Sequence, residues 1–103
     1  MSRLWRRIAL VVALFLIVAG TLLYVRLRPQ AMIGAGYVAH QVCSCVFVAE
    51  RSYESCLPDM PSSMDRVRSE IIDEENRHGV RAWVTGLADR TALVTPGLGC
   101  ALQ

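Results

Sequence analysis

The longest apolar run in the chain is Ile8-Ala-Leu-Val-Val-Ala-Leu-Phe-Leu-Ile-Val-Ala-Gly-Thr-Leu-Leu-Tyr-Val25, 18 residues without a charge. As an α-helix it is about 27 Å long, close to the thickness of a bilayer's hydrocarbon core. Aromatic and basic side chains at the ends of such a run prefer the membrane–water interface. The candidate interface residues are Trp5, Arg6, Arg7, Tyr24 and Arg26. Residues 1–28 are therefore predicted to form a short basic N-terminus and one transmembrane helix in a lipid bilayer.

A cleaved signal peptide is the competing interpretation, because Arg3, Arg6 and Arg7 resemble its basic n-region. The apolar run is longer than a usual h-region, and the best cleavage site, after Gly20, falls inside it. Both features favour an uncleaved anchor. Three arginines lie directly before the run and two, Arg26 and Arg28, directly after it. The positive-inside rule therefore predicts that the C-terminal part lies outside the cytoplasm.

The composition of the rest of the chain excludes some classes of function. The net charge is only +2 in 103 residues, and the basic side chains concentrate around the apolar run. A nucleic-acid surface would need clustered cations with stacking aromatics, and neither is present. We expect no nucleic-acid partner and no cofactor, while the oligomeric state stays open.

The segment after the membrane run is predicted to begin with a linker. Pro29 is expected to end the helix at Arg28, and 29–36 contains two glycines typical of a connection. Residues 37–103 then form a small α+β segment. Its β-branched content predicts a strand over Val42–Val48, followed by a loop over Ser52–Ser62.

A helix and a hairpin are predicted for the remainder. Ser62 or Ser63 is a suitable N-cap, and Met64, Val67 and Ile71 recur at helical spacing up to Gly79, a natural residue after a helix end. Two alternating segments with a glycine-containing turn between them predict an antiparallel hairpin. Those segments are Val80–Thr85 and Thr91–Thr95.

Four cysteines in a small domain outside the cytoplasm are most simply disulfides. The preferred bridge is Cys43 to Cys100, which would tie the first strand to the end of the hairpin. Cys45 and Cys56 would then pair across the loop or remain free. A metal site formed by His40, Cys43 and Cys45, or a redox-active thiol pair, is a weaker alternative, because the spacing fits neither a zinc knuckle nor Cys-x-x-Cys.

Three stretches of the sequence resemble a known family. They contain the short motifs Cys-Ser and Pro-Gly-Leu-Gly-Cys in the order in which that family has them. The stretches are Gly36–Arg51, Val84–Leu87 and Arg90–Leu102. They are similar to the region before the catalytic domain in membrane-anchored, β-lactamase-related serine hydrolases of the 6-aminohexanoate-dimer hydrolase type. The resemblance covers about residues 34–103, and it departs from the family pattern where Cys45 replaces a glycine. It implies a bacterial inner-membrane location with a periplasmic C-terminal part.

The same resemblance implies that this chain is not an enzyme on its own. Those hydrolases use Ser-x-x-Lys, in which lysine assists deprotonation of the serine, and this chain contains no lysine. The leading hypothesis is therefore a non-catalytic single-pass membrane protein that corresponds to the truncated front of such a hydrolase. One alternative is the N-terminal half of a split or frameshifted hydrolase that needs a separate catalytic chain. The other is an envelope module that binds metal or uses a thiol.

Overall fold

The computed structural model describes residues 2–103 and has an α+β fold. One long helix and a short one precede an antiparallel sheet. The helical elements are α1 (Arg3–Cys43), a π-helical turn (Ser44–Val48), α2 (Tyr53–Cys56) and two 3₁₀ turns (Leu57–Asp59 and Ser62–Met64). The strands are β1 (Arg68–Glu74), β2 (Arg77–Val84), β3 (Ala88–Thr95) and β4 (Gly99–Leu102).

Helix α1 does not end at Pro29, as the sequence predicted, but continues through it to Cys43. Proline lacks the N–H that would bond the carbonyl of Val25, one turn earlier. That carbonyl lies at the end of the apolar run, where water can take the place of the lost donor. Beyond Pro29 the helix is held by packing, since Gly34, Ala35 and Gly36 are buried. The predicted linker over 29–36 is therefore wrong.

The strand predicted over Val42–Val48 is also wrong, because these residues complete α1 and form the π-helical turn. The buried residues Ala35, Val38, Ala39 and Val42 recur every three or four positions, which is the period of a helix. The prediction of a strand relied on the β-branched content of this segment and did not take the helical spacing of its apolar residues into account. Tertiary packing of this stripe overrides the local β preference.

The helix predicted from Ser62 towards Gly79 is replaced by a 3₁₀ turn and strand β1. In β1, Ile71 lies opposite Val80 of β2 and joins the core, while Ile72 lies opposite Gly79 and points to the other face. A two-residue turn, Glu75-Asn76, connects the strands. The predicted loop over Ser52–Ser62 contains α2 and a 3₁₀ turn.

The four strands form a meander in the order β1-β2-β3-β4, with every neighbouring pair antiparallel. The hairpin predicted near Val80–Thr95 is present as β2 and β3. One sheet face packs on the C-terminal part of α1, and the core lies between them. Its fully or almost fully buried side chains are Ala35, Val38, Ala39, Val42, Cys43, Val80, Ala82 and Ala92.

Two disulfides fasten the helical part to the sheet and to the loop. Cys43 at the end of α1 pairs with Cys100 in β4, with the Cα atoms 6.1 Å apart. Cys45 pairs with Cys56 of α2, with the Cα atoms 6.0 Å apart. The first pair is the bridge preferred from the sequence. For Cys45 and Cys56 the sequence left open whether they pair or remain free, and the structure shows that they pair.

Candidate functional site

The described chain has a groove between α1 and the end of the β2–β3 hairpin. The hairpin turn is closed by a hydrogen bond from Leu87 N to Val84 O of 2.9 Å, and Gly86 has φ 78°, a value that glycine adopts without strain. The groove has a volume of about 510 Å³. Tyr24, Arg28 and Met32 line it from α1, one helical turn apart. The fold thus brings the hairpin end beside the last residues of the apolar run.

Charged and aromatic side chains of the hairpin complete the groove. Arg81 Nε donates to both carboxylate oxygens of Asp89 at 3.0 Å, and the Arg81 guanidinium also contacts Glu70 Oε1 at 3.4 Å. The Arg81 guanidinium carbon lies 4.7 Å from the centre of the Trp83 ring, within the range of a cation–π interaction. Arg81, Trp83 and Asp89 all line the groove, so one wall is polar and ordered by ion pairing.

The ion pair also determines how this wall responds to pH. Hydrogen bonds from Arg81 lower the pKa of the Asp89 carboxyl, although burial opposes the shift slightly. The hydrogen bond to Asp89 likewise raises the pKa of Arg81. A carboxyl whose pKa is lowered by folding stabilises the folded state at a pH above its unfolded pKa. This contribution is lost as the pH falls through the folded pKa.

Replacing Asp89 by asparagine should therefore flatten the acid side of the stability profile. At neutral pH we expect only a small loss in the free energy of unfolding, because both partners are about half exposed to solvent. The free energies of unfolding of the variant and the parent should converge only when the pH falls below the lowered pKa of Asp89, which lies under the ordinary carboxyl value of about 4. Chemical unfolding of the purified chain across pH 2 to 7, as an approximate working range for carboxyl titration, measures this. Asp65→Asn is the control, and indistinguishable profiles for all three proteins would contradict the assignment.

The interface residues predicted from the sequence lie on α1. Trp5 is 64% exposed and Tyr24 is 45% exposed, so neither is covered by the rest of the protein. Arg6, Arg7 and Arg26 are also exposed on the helix surface. Only Tyr24 of this group borders the groove. The four cysteines are brought together as two disulfides, and none of them lines the groove.

The residues considered for a metal or thiol site have other roles in the structure. Cys43 and Cys45 are in separate disulfides, and no free thiol and no cluster of three ligating side chains occurs within residues 2–103. His40 is exposed on the surface of α1.

Sequence reasoning missed the groove residues Arg81, Trp83 and Asp89. The predicted strand Val80–Thr85 already contained a usable signal, since alternation puts Arg81 and Trp83 on one face, opposite to Val80 and Ala82. Asp89 faces Trp83 directly across the hairpin. The other wall of the groove could not be found, because it requires α1 to continue beyond Pro29.

The chain is a small α+β protein. Within residues 2–103, one helix is long and apolar enough to cross a membrane, and it runs from Arg3 to Val48 when the π-helical turn is included. Its most apolar window is not covered by the rest of the protein. No family model, curated protein or solved structure matches the chain. The resemblance to β-lactamase-related serine hydrolases therefore remains a prediction from the sequence.

Proposed function

We propose that the chain is a non-catalytic single-pass membrane protein that holds a small disulfide-bonded sheet against the outer surface of the bacterial inner membrane. In this proposal it corresponds to the front part of a membrane-anchored, β-lactamase-related serine hydrolase. The observation that carries the proposal is the continuity of α1. Its N-terminal part exposes large apolar side chains, while its C-terminal part supplies Ala35, Val38 and Val42 to the core.

Because α1 is continuous, the proposed membrane anchor is joined rigidly to the sheet. A flexible linker would let the sheet move freely above the bilayer, whereas a single helix fixes its height and orientation. Exposed apolar side chains over 18 residues would be unfavourable in water, and burial in lipid relieves that cost. The helix is therefore best explained as both a membrane span and the scaffold of the sheet.

Disulfides support the proposed orientation. Two structural disulfides are typical of proteins that fold outside the reducing cytoplasm. The three arginines directly before the apolar run, against two directly after it, support the same direction. Trypsin added to intact spheroplasts should therefore degrade the sheet, while trypsin added to inverted membrane vesicles should not. The reverse protection pattern would contradict the orientation.

Membrane insertion is tested by alkaline extraction of membranes that contain the full chain. The parent should stay in the membrane pellet, because its apolar run is inserted. Leu14→Arg puts a charge in the middle of that run and should move most of the protein to the supernatant. Leu98→Arg is the matched control, since Leu98 lies in the β3–β4 turn and is 83% exposed. Extraction of the parent, or equal behaviour of the two variants, would contradict a membrane span.

The absence of catalysis is proposed from the chemistry of the chain. The related mechanism needs a lysine close to the nucleophilic serine, and the sequence contains none. Pure protein should therefore not react with a fluorophosphonate or β-lactam probe. Covalent labelling of a serine in this chain would overturn the proposal.

A second candidate function is favoured by the free edge of β4. Within residues 2–103, β4 pairs with β3 alone, and its exposed residues Ala101 and Leu102 leave an edge that another strand could join. The opposite edge is partly occupied, because the Tyr53 hydroxyl donates to the Ser69 carbonyl at 2.8 Å. A separate hydrolase chain could complete the sheet at β4. Downstream DNA that encodes Ser-x-x-Lys in a second reading frame, or in a neighbouring gene without its own leading strands, would support this alternative.

A further inference from the structure

The groove between α1 and the hairpin lies at a defined height if α1 spans the membrane as proposed above. Tyr24 is inside the apolar run, and Arg28 is three residues beyond its end at Val25. At roughly 1.5 Å per residue, Arg28 is about 4.5 Å above the hydrocarbon and Met32 about 10 Å above it. The headgroup layer is about 5 to 8 Å thick on each side of the bilayer. The groove therefore crosses the layer that contains the lipid phosphates.

The charges in the groove favour an anion at that height. The residues that line the groove include two cations, Arg28 and Arg81, and one carboxylate, Asp89. Arg81 is paired with Asp89 and, outside the groove lining, with Glu70, so Arg28 is the lining cation that remains available. Arg28 takes part in no ion pair within residues 2–103. A guanidinium binds a phosphodiester with paired, charge-assisted hydrogen bonds. The anion that is present in quantity at this height is the lipid phosphate. In phosphatidylcholine the choline cation balances its charge, whereas in phosphatidylglycerol the charge is unbalanced and attracts a guanidinium more strongly.

The remaining walls suit a lipid rather than a small soluble anion. Tyr24 and Trp83 have apolar rings with polar tips, which is the character of side chains at the membrane interface. Met32 and Leu87 add apolar surface on either side of the groove. A glycerol backbone and the first carbons of an acyl chain have matching polarity, since one end of the groove opens beside the apolar run.

We propose that this groove binds the headgroup of an anionic phospholipid, with Arg28 on the phosphodiester and Trp83 beside the glycerol region. Binding would fix the rotation of the sheet about the helix axis and hold the hairpin end against the bilayer. The inference rests on the proposed membrane span. It adds a specific ligand class and the residues that recognise it.

The test uses the full chain in nanodiscs of phosphatidylcholine with an increasing fraction of phosphatidylglycerol. Trp5→Phe leaves Trp83 as the single tryptophan, so its emission reports on the groove. We expect a saturable change in emission as the phosphatidylglycerol fraction rises. Arg28→Gln should raise the fraction at half-saturation about fivefold, because it removes the charge-assisted hydrogen bonds from the guanidinium to the phosphodiester.

Arg26→Gln is the matched control, because it removes the same charge from the same helix only about 3 Å closer to the hydrocarbon. Arg26 is two residues away, about 200° around the helix, and does not line the groove. We expect a clearly smaller shift in the half-saturation than for Arg28→Gln, since Arg26 makes no contact in the groove. Equal effects of the two variants would show a non-specific surface charge and would overturn the site.

Two further outcomes would also overturn the site. One is an emission that does not respond to phosphatidylglycerol, which would leave the groove empty or available to a protein segment. The other is a full response to inorganic phosphate added to pure phosphatidylcholine nanodiscs, which would indicate a free-anion site. Alkaline extraction separates these failures from failure of the membrane span. A chain that resists extraction but shows no saturable response contradicts the lipid site alone.

Discussion

Replacing Cys43 and Cys100 together by alanine should lower the free energy of unfolding of the sheet domain by about 4 kcal/mol on the chain-entropy model. This disulfide joins residues 57 positions apart, so its loss greatly increases the freedom of the unfolded chain. A domain this small has a total stability of only about 3 to 5 kcal/mol from its core. Without the bridge, the sheet should therefore be largely unfolded at growth temperature. Alanine avoids burying a hydroxyl at Cys43, which has no exposed surface.

The matched control is the double replacement of Cys45 and Cys56 by alanine. This disulfide spans 11 positions, and the same model gives a loss of about 3 kcal/mol. Both variants lose one bridge and bury no new polar atom. The difference between their free energies of unfolding therefore measures the effect of the length of the loop that each bridge closes. Urea unfolding followed by Trp83 emission in the Trp5→Phe background measures it. A smaller effect for the Cys43–Cys100 pair than for the Cys45–Cys56 pair would contradict the role of the long bridge as the main fastening of the sheet.

The sequence predicted the parts of the fold whose signals are local. The apolar run needs no partner to be recognised, and alternation of Val80, Ala82 and Val84 indicates a strand before any pairing is known. The α+β class follows from these two signals. The helix proposed around Met64 and Ile71 failed because a spacing of three or four residues is ambiguous in a short segment. Only pairing with β2 makes Ile71 part of a strand, and that pairing is not visible locally.

The groove could not be predicted for a different reason. One wall is the part of α1 between Tyr24 and Met32, which includes Pro29. Proline usually ends a helix, but α1 continues here because its residues beyond Pro29 pack against the sheet. The length of α1 therefore depends on the apolar run before Pro29 and on the sheet that packs after it. Neither influence can be read from residues 29–36 alone.

Gly79→Ala should be the most damaging single substitution in the sheet. Gly79 is buried in β2, between Ile72 of β1 and Leu93 of β3 in the strand register. A Cβ atom built there would lie 2.0 Å from the carbonyl oxygen of Ala92 and 3.0 Å from the Cα of Leu93. These are backbone atoms, so no rotation of a side chain can relieve the contact. We expect a loss of about 3 kcal/mol or more in the free energy of unfolding, at the upper end for overpacked positions.

Gly20→Ala separates this close approach from the general effect of removing a glycine. No heavy atom lies within 4 Å of a Cβ at Gly20, and the backbone there is helical. Alanine at that position should change the stability of the sheet by less than about 0.5 kcal/mol. The same urea titration compares the two variants. If Gly79→Ala unfolds at the same urea concentration as the parent, then β2 and β3 are farther apart at this point than described. The register that aligns Arg81 and Trp83 with the groove would then need revision, because it depends on the same strand pairing.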